Sequence, residues 1–500
     1  MSVTIANGIK LRFVCALLII GAPMLPEHTH AQSEFEQWQA EQNQAFRNYQ
    51  SAQDGEFSEF LKKQWQEFEL FQGITRDPTP KPKAMPVAPN KGLKQANKAS
   101  KSETGDSARV ATPHMAKKNN STPITLSSSR SQRKHPSGTQ LHVDFFGEKL
   151  SLNHNPKLAV KLKSHPSESS IGEFWAELSS ANHQPLLNQL QQQKQSLWLN
   201  DWGYIQLVLQ VATELYGNHG NEAKLFTWFI LSHSEYRARV GHDGSEVFLM
   251  VAAKTPFYST SYLSYDGVNY YIVSMDGQPR HVSKLFSYAG HTPHGNQDID
   301  LILHRSPRLA VRNESRTLQF NYKGKQYQID ADYNRNIVDY LKTYPSSELS
   351  VYFRAAISKE LNTSLTNALS ELIKGKSELE ATNLLLRFVQ TAFEYKTDEA
   401  QFGREKYFFP EELFVYDYSD CEDRSVLFAY LVRTLLHLDV VGIDYPGHVA
   451  TAVHFNQKVE GQLYLYNGKR YVISDPTYIN ASVGEAMPTV ANKRAKIIPI

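Results

Sequence analysis

Hydrophobic and polar positions change period several times along this chain, and each change marks an element. Phe35, Phe46, Phe57 and Phe68 recur every eleven residues, and Trp38, Tyr49, Phe60 and Phe71 follow at the same spacing. Eleven residues make three helical turns at slightly more than 3.6 residues per turn. Residues 32–74 are therefore expected to form one long amphipathic helix with an aromatic stripe, weakened at Gly55. Packing on its own protein or on a second copy is the simplest use of that stripe. Its polar face is rich in Gln and Glu, not in the Lys and Arg of membrane-surface helices. A protein partner or self-association through Phe35–Phe71 is thus favoured over membrane contact.

Periodicity stops over residues 75–140. Pro78, Pro80, Pro82, Pro86 and Pro89 open this stretch, and Lys, Ser, Asn and Thr fill it. It reads as a disordered basic linker that lets the helix and the globular part move independently. Alternation returns in Leu141–Phe146 and Lys149–Leu152, a short hairpin, and helical spacing follows through Ile171–Leu231, so 141–234 is mostly helical. Residues 235–344 switch to period two with Gly turns at Asp266-Gly267 and Lys323-Gly324, the pattern of a β-rich domain. In 345–500, helical runs at 349–373 and 379–393 precede Cys421. A further helix follows, with Leu427, Phe428, Leu431, Val432, Leu435 and Leu436 on one face. Strands are expected at 437–445, 448–455, 462–467 and 470–474, the last two turning at Asn467-Gly468.

Composition narrows the function. The 53 basic residues nearly balance the 51 acidic ones, so no nucleic-acid partner is demanded. Residues 1–31 read as a signal peptide: Lys10 and Arg12, the apolar run Phe13–Ile20, and a small-residue cleavage site at Thr29-His30-Ala31. A periplasmic or secreted location follows. Cleavage removes Cys15 and leaves Cys421 as the one cysteine, in an oxidising compartment where it has no internal disulfide partner. His281, His291, His294 and His304 lack zinc-ligand spacing and read as surface or loop residues. Cys-x-x-Cys and His-Glu-x-x-His patterns are absent, so no metal or cofactor is implied.

Candidate chemistry gathers at the C-terminal end. Asp420 and Asp423 stand at N-cap and N3 spacing before an apolar helix, which puts Cys421 in its first turn. There the unpaired N–H groups and the helix dipole favour a thiolate. His448 opens one strand and Asp475 closes another. Thiol, imidazole and carboxylate are the parts of a nucleophile site. His454 shares the strand parity of His448 but lies about 20 Å along at ~3.3 Å per residue. Asp444 competes with Asp475, whose simpler role is to cap an Asp-Pro turn. Tyr416 and Tyr418 are candidate oxyanion donors beside the Cys421 backbone N–H.

The runs Asp420-Cys-Glu-Asp-Arg-Ser425, Pro446-Gly-His-Val-Ala450 and Ser474-Asp-Pro-Thr477 resemble the transglutaminase-like superfamily of papain-type folds, in particular its exported bacterial members. The resemblance covers residues 375–490. It implies an α+β papain-like domain with Cys421 as nucleophile, His448 as base and Asp475 orienting it. Many members carry a tryptophan soon after the histidine; here Val449, Ala450 and Thr451 follow. The expected activity is acyl transfer from a protein or peptide amide, most simply to water as a cysteine peptidase or amidase. Protein cross-linking is one alternative. A non-catalytic envelope assembly protein with a vestigial triad is another.

Overall fold

The computed structural model describes residues 28–74, 81–89, 139–217, 220–274 and 278–500. The chain divides into two units, Met1–Gln53 and Asp54–Ile500. Most of the expected signal segment, with Cys15, lies outside the described residues. So does most of the expected linker, residues 75–80 and 90–138. Among the described residues no helix is long and apolar enough to cross a membrane. The architecture is mixed α+β.

The aromatic repeat is not one helix. His28–Leu61 is helical, and in the first unit Phe35, Trp38, Phe46 and Tyr49 stand 55–60% exposed. In the second unit the same helix buries Phe57, whose ring meets Trp175 edge-on at 5.0 Å and Tyr288 at 5.6 Å. The helix stops at Leu61, whose carbonyl takes a hydrogen bond from the Trp65 indole. Trp65–Glu69 then pairs antiparallel with Lys284–Tyr288. A sheet edge offers a row of unpaired backbone groups, and aromatic residues suit a strand. Here that pairing overrides the helical period.

Helices Glu168–Ser180, Gln184–Ser196, Asp201–Tyr216 and Gly220–His233 follow the hairpin 139–154, as the spacing predicts. The first and third start at side-chain caps, Ser167 and Asn200. An antiparallel six-stranded sheet comes next, in the order 65–69, 284–288, 238–242, 247–252, 268–272, 262–265. A long hairpin, Asn313–Tyr322 with Lys325–Asn334, connects it to the C-terminal part. One buried cluster runs from Phe57 to Ile498. Two smaller buried clusters lie beside it, one around Phe248, Met250 and Ile272 in the six-stranded sheet and one around Ile443, Ala450 and Ile473 near the C-terminus.

The C-terminal sheet has five antiparallel strands in the order Leu463–Tyr466, Lys469–Ser474, His448–His454, Asp439–Tyr445, Lys496–Ile498. Asn467 and Gly468 form the expected turn, both with positive φ (47° and 75°). Helix Cys421–Leu436 packs against the two strands 439–445 and 448–454 and against helix Glu378–Thr391.

Candidate functional site

Asp420 is the N-cap of helix Cys421–Leu436, and its N–H donates to Asp423 Oδ2 at 3.1 Å. Asp423 Oδ1 accepts from the Phe408 N–H at 2.9 Å, which ties the helix start to the preceding loop. Cys421 is the first helical residue and is fully buried. One turn on, Ser425 Oγ donates to the Val449 carbonyl at 3.1 Å. Residues four apart share a helix face, so Cys421 faces the strand that begins at His448.

His448 and Asp475 are brought together. The register pairs Thr451 with Ser474, which sets the start of one strand beside the end of the other. His448 Nε2 meets Asp475 Oδ2 at 2.8 Å, both side chains being buried. The second Asp475 oxygen accepts from the N–H groups of Thr477 (2.9 Å) and Tyr478 (3.1 Å). Turn capping and histidine orientation are therefore both performed, one oxygen each. Gln390 Nε2 reaches the carbonyls of Asp475, Tyr478 and Ala481 at 3.0, 2.8 and 3.1 Å and fixes the loop that carries the carboxylate. The rivals fall elsewhere. His454 Nδ1 bonds the Arg470 carbonyl, His437 closes the Cys421 helix, and Asp444 pairs across the sheet with Val449.

Three features of the site depart from the sequence expectation. The first is the state of the thiol. Cys421 Sγ–H donates to Glu422 Oε2 at 2.9 Å, not to the imidazole. Burial, then the charges of Glu422 and Asp420, push the thiol far above its ordinary value, and Lys81 opposes them without prevailing. A helix terminus is worth about 0.3–1 kcal/mol to an anion. Two carboxylates in a dry site outweigh it. The second is the oxyanion candidates. Tyr416 stacks on Phe408 (4.6 Å) and Tyr418 lies under Lys396. Tyr395 is also near this cluster: burial, then the charges of Cys421, Asp420 and Glu422, raise the pKa of its hydroxyl. Its hydroxyl donates to the Pro82 carbonyl at 2.7 Å.

The third is residues 81–89. They are packed in the site and are not solvated tether. Lys81 Nζ lies 2.7 Å from Glu405 Oε2, 2.7 Å from Asp420 Oδ2 and 3.1 Å from Glu422 Oε1. Nothing in the local sequence signals this, because the partners lie more than three hundred residues away.

For the imidazole, burial alone would lower the pKa. The Asp475 charge and hydrogen bond, helped by Glu422, outweigh burial and raise it. Asp420 is pushed up to about 7 by burial and Glu422, against the pull of Lys81. Arg424, fully buried, holds the inner wall. It donates to the Gln390 carbonyl (3.1 Å), the Phe393 carbonyl (2.7 Å) and Ser419 Oγ (3.0 Å).

Among the described residues, donor atoms close enough to share an ion occur in Asp54–His233–His294 and in two sets drawn from Asp398 and 420–423. His294 lies in a loop, as expected, but its side chain is turned inward and is only 8% exposed. Its Nε2 meets Asp54 Oδ1 at 2.9 Å, and His233 Nε2 meets Asp54 Oδ2 at 3.1 Å. These groups pair with one another, and His233 Nδ1 donates to the Phe229 carbonyl at 2.9 Å. Comparison with protein-family models, with curated proteins and with solved structures returns no match.

Proposed function

We propose that this chain is an exported, transglutaminase-like thiol enzyme. Its C-terminal part is a papain-like α+β domain that acts on protein or peptide amides by acyl transfer, mainly to water. The observation that carries the reading is the buried His448–Asp475 pair at 2.8 Å beside the first turn of the helix bearing Cys421. Asp475 accepts Nε2–H, which leaves the lone pair on Nδ1 as the base. Nδ1 takes the Cys421 proton as Sγ attacks the amide carbonyl. The imidazolium then gives that proton to the leaving amine. The Cys421 backbone N–H, unpaired inside a first helical turn, faces the oxyanion. The Tyr395 hydroxyl, which already holds a peptide carbonyl, is the second donor. Water adds to the thioester and releases the acid. Replacement of that water by an amine gives the cross-linking alternative.

A second reading has its own support. The Cys421 thiol is buried and hydrogen-bonded to a carboxylate, which suits an assembly or binding protein with a silent triad. Incubation with a library of peptide amides, read by mass spectrometry, separates the two. Hydrolysis and an acyl-thioester on Cys421 are expected, both lost in Cys421→Ala and His448→Ala. Turnover that survives Cys421→Ala would refute the thiol mechanism. No turnover and no adduct, even with the Lys81 segment loosened, would favour assembly.

A further inference from the structure

Residues 81–89 run from the nucleophile side of the site to the Asp475 side. At one end Lys81 reaches the Asp420 and Glu422 carboxylates that flank Cys421. In the middle Tyr395 holds the Pro82 carbonyl, and Met85 Sδ touches Arg424 Nη1 at 2.6 Å. At the far end the segment pairs with the stretch just after Asp475. The Ala88 N–H donates to the Ile479 carbonyl at 2.7 Å, and the Ile479 N–H donates to the Pro86 carbonyl at 3.0 Å. Val87 and Ile479 form a parallel bridge. An extended, proline-containing peptide bound by side-chain pockets and strand-type hydrogen bonds is a recurring mode of peptide recognition.

The lysine pocket is chemically specific. An ammonium has three N–H donors. Three carboxylate oxygens lie within 2.7–3.1 Å of Lys81 Nζ, and Asp398 Oδ2 stands behind at 3.9 Å. The Lys81 side chain is 5% exposed and Asp420 is fully buried. Asp420 Oδ1, also buried, has no hydrogen-bond partner among the described residues and is left to the cation's charge. Glu405, a third exposed, forms the solvent rim. Oxygens converging on one point match a compact ammonium better than a flat guanidinium fork. The ammonium donates to Glu405 and Asp420 and is ion-paired with Glu422, which holds the amine as a cation with no lone pair, so this is a recognition contact and not an acyl acceptor.

We propose that the carboxylate pocket beside Cys421 is a subsite for the lysine side chain of an extended, proline-containing peptide, and that residues 81–89 are its internal occupant. As a determinant of substrate choice this rests on the thiol-enzyme reading; as a binding site it does not. The internal segment keeps Cys421 covered until a lysine-bearing substrate displaces it.

The test uses full-length protein in which residues 81–89 are replaced by Gly/Ser of equal length and Cys421 by Ser, so that binding is read without turnover. The labelled peptide Lys-Pro-Lys-Ala-Met-Pro-Val-Ala-Pro is expected to bind in fluorescence anisotropy. Norleucine in place of its first lysine should weaken binding about tenfold or more, because the buried carboxylates lose their partner. Equal binding of the two peptides, or no binding of either, overturns the proposal. A second measurement leaves the Lys81 charge in place: Ala88→Pro, which removes the N–H donated to the Ile479 carbonyl, and, more weakly, Glu405→Gln should speed iodoacetamide alkylation of Cys421. Alkylation unchanged in both variants also overturns it. In the Ala88→Pro chain, an alkylation rate insensitive to His448→Ala would remove the triad reading and leave the lysine subsite standing.

Discussion

Replacement of Asp475 by asparagine isolates the charge of the orienting carboxylate. The amide of the Asp475→Asn variant would keep one oxygen for the Thr477 and Tyr478 N–H groups, so the turn stays capped. Its NH2 then faces Nε2 and donates, which moves the imidazole proton to Nδ1 and removes the base. Loss of one charge-assisted hydrogen bond costs about 1.5–3 kcal/mol of stability. Under the proposed mechanism, loss of the general base costs about 10²–10⁴ in turnover. The pH dependence is diagnostic. His448 has a raised pKa in the folded state, so the stability it contributes is fully present below its unfolded value of about 6.5. That contribution fades as pH climbs through the raised folded value, and Asp475→Asn abolishes it. Urea unfolding at about pH 5.5 and about pH 9 is the assay. The gap between wild type and Asp475→Asn should be wider at the lower pH. A gap equal at both, or wider at the higher pH, would refute a charged imidazole–carboxylate pair at this site.

Gln390→Ala removes the donor to three carbonyls of the Asp475 loop and leaves them buried; unfolding should be easier by about 2–4 kcal/mol, with faster hydrogen exchange in residues 475–481. Phe57→Ala should cost about 3–5 kcal/mol in denaturant unfolding, because that ring packs between Trp175 and Tyr288, whereas Phe46→Ala on the same eleven-residue period should cost under about 0.5 kcal/mol. Arg424→Lys cannot span Ser419, Gln390 and Phe393 together, so it should destabilise the chain by about 2–4 kcal/mol despite keeping the charge; an unchanged midpoint would show that those contacts carry no net stability.

Much of the candidate site is legible in the chain itself because its determinants are local. Asp420 and Asp423 at cap spacing place Cys421 at a helix start, and the alternation around Asn467-Gly468 sets the hairpin that ends at Asp475. Period two in 448–454 makes His448 the first residue of a strand. Each follows from backbone geometry over a few residues. What local pattern leaves undecided is what lies opposite. Phe46 and Phe57 occupy equivalent positions in one repeat, yet one is exposed and the other buried, because burial depends on Trp175, Trp228 and Tyr288 arriving from elsewhere. Residues 65–69 extend a sheet because an edge more than two hundred residues away in sequence accepts them. The run Lys81–Pro89 has the composition of a solvated linker, and only distant partners make it part of the site: four carboxylates around Lys81, the Tyr395 hydroxyl and the backbone of Ile479. The protonation of Cys421 is decided in the same way: a helix dipole is a property of the local chain, but burial and the summed field of Asp420, Glu422 and Lys81 belong to the tertiary structure.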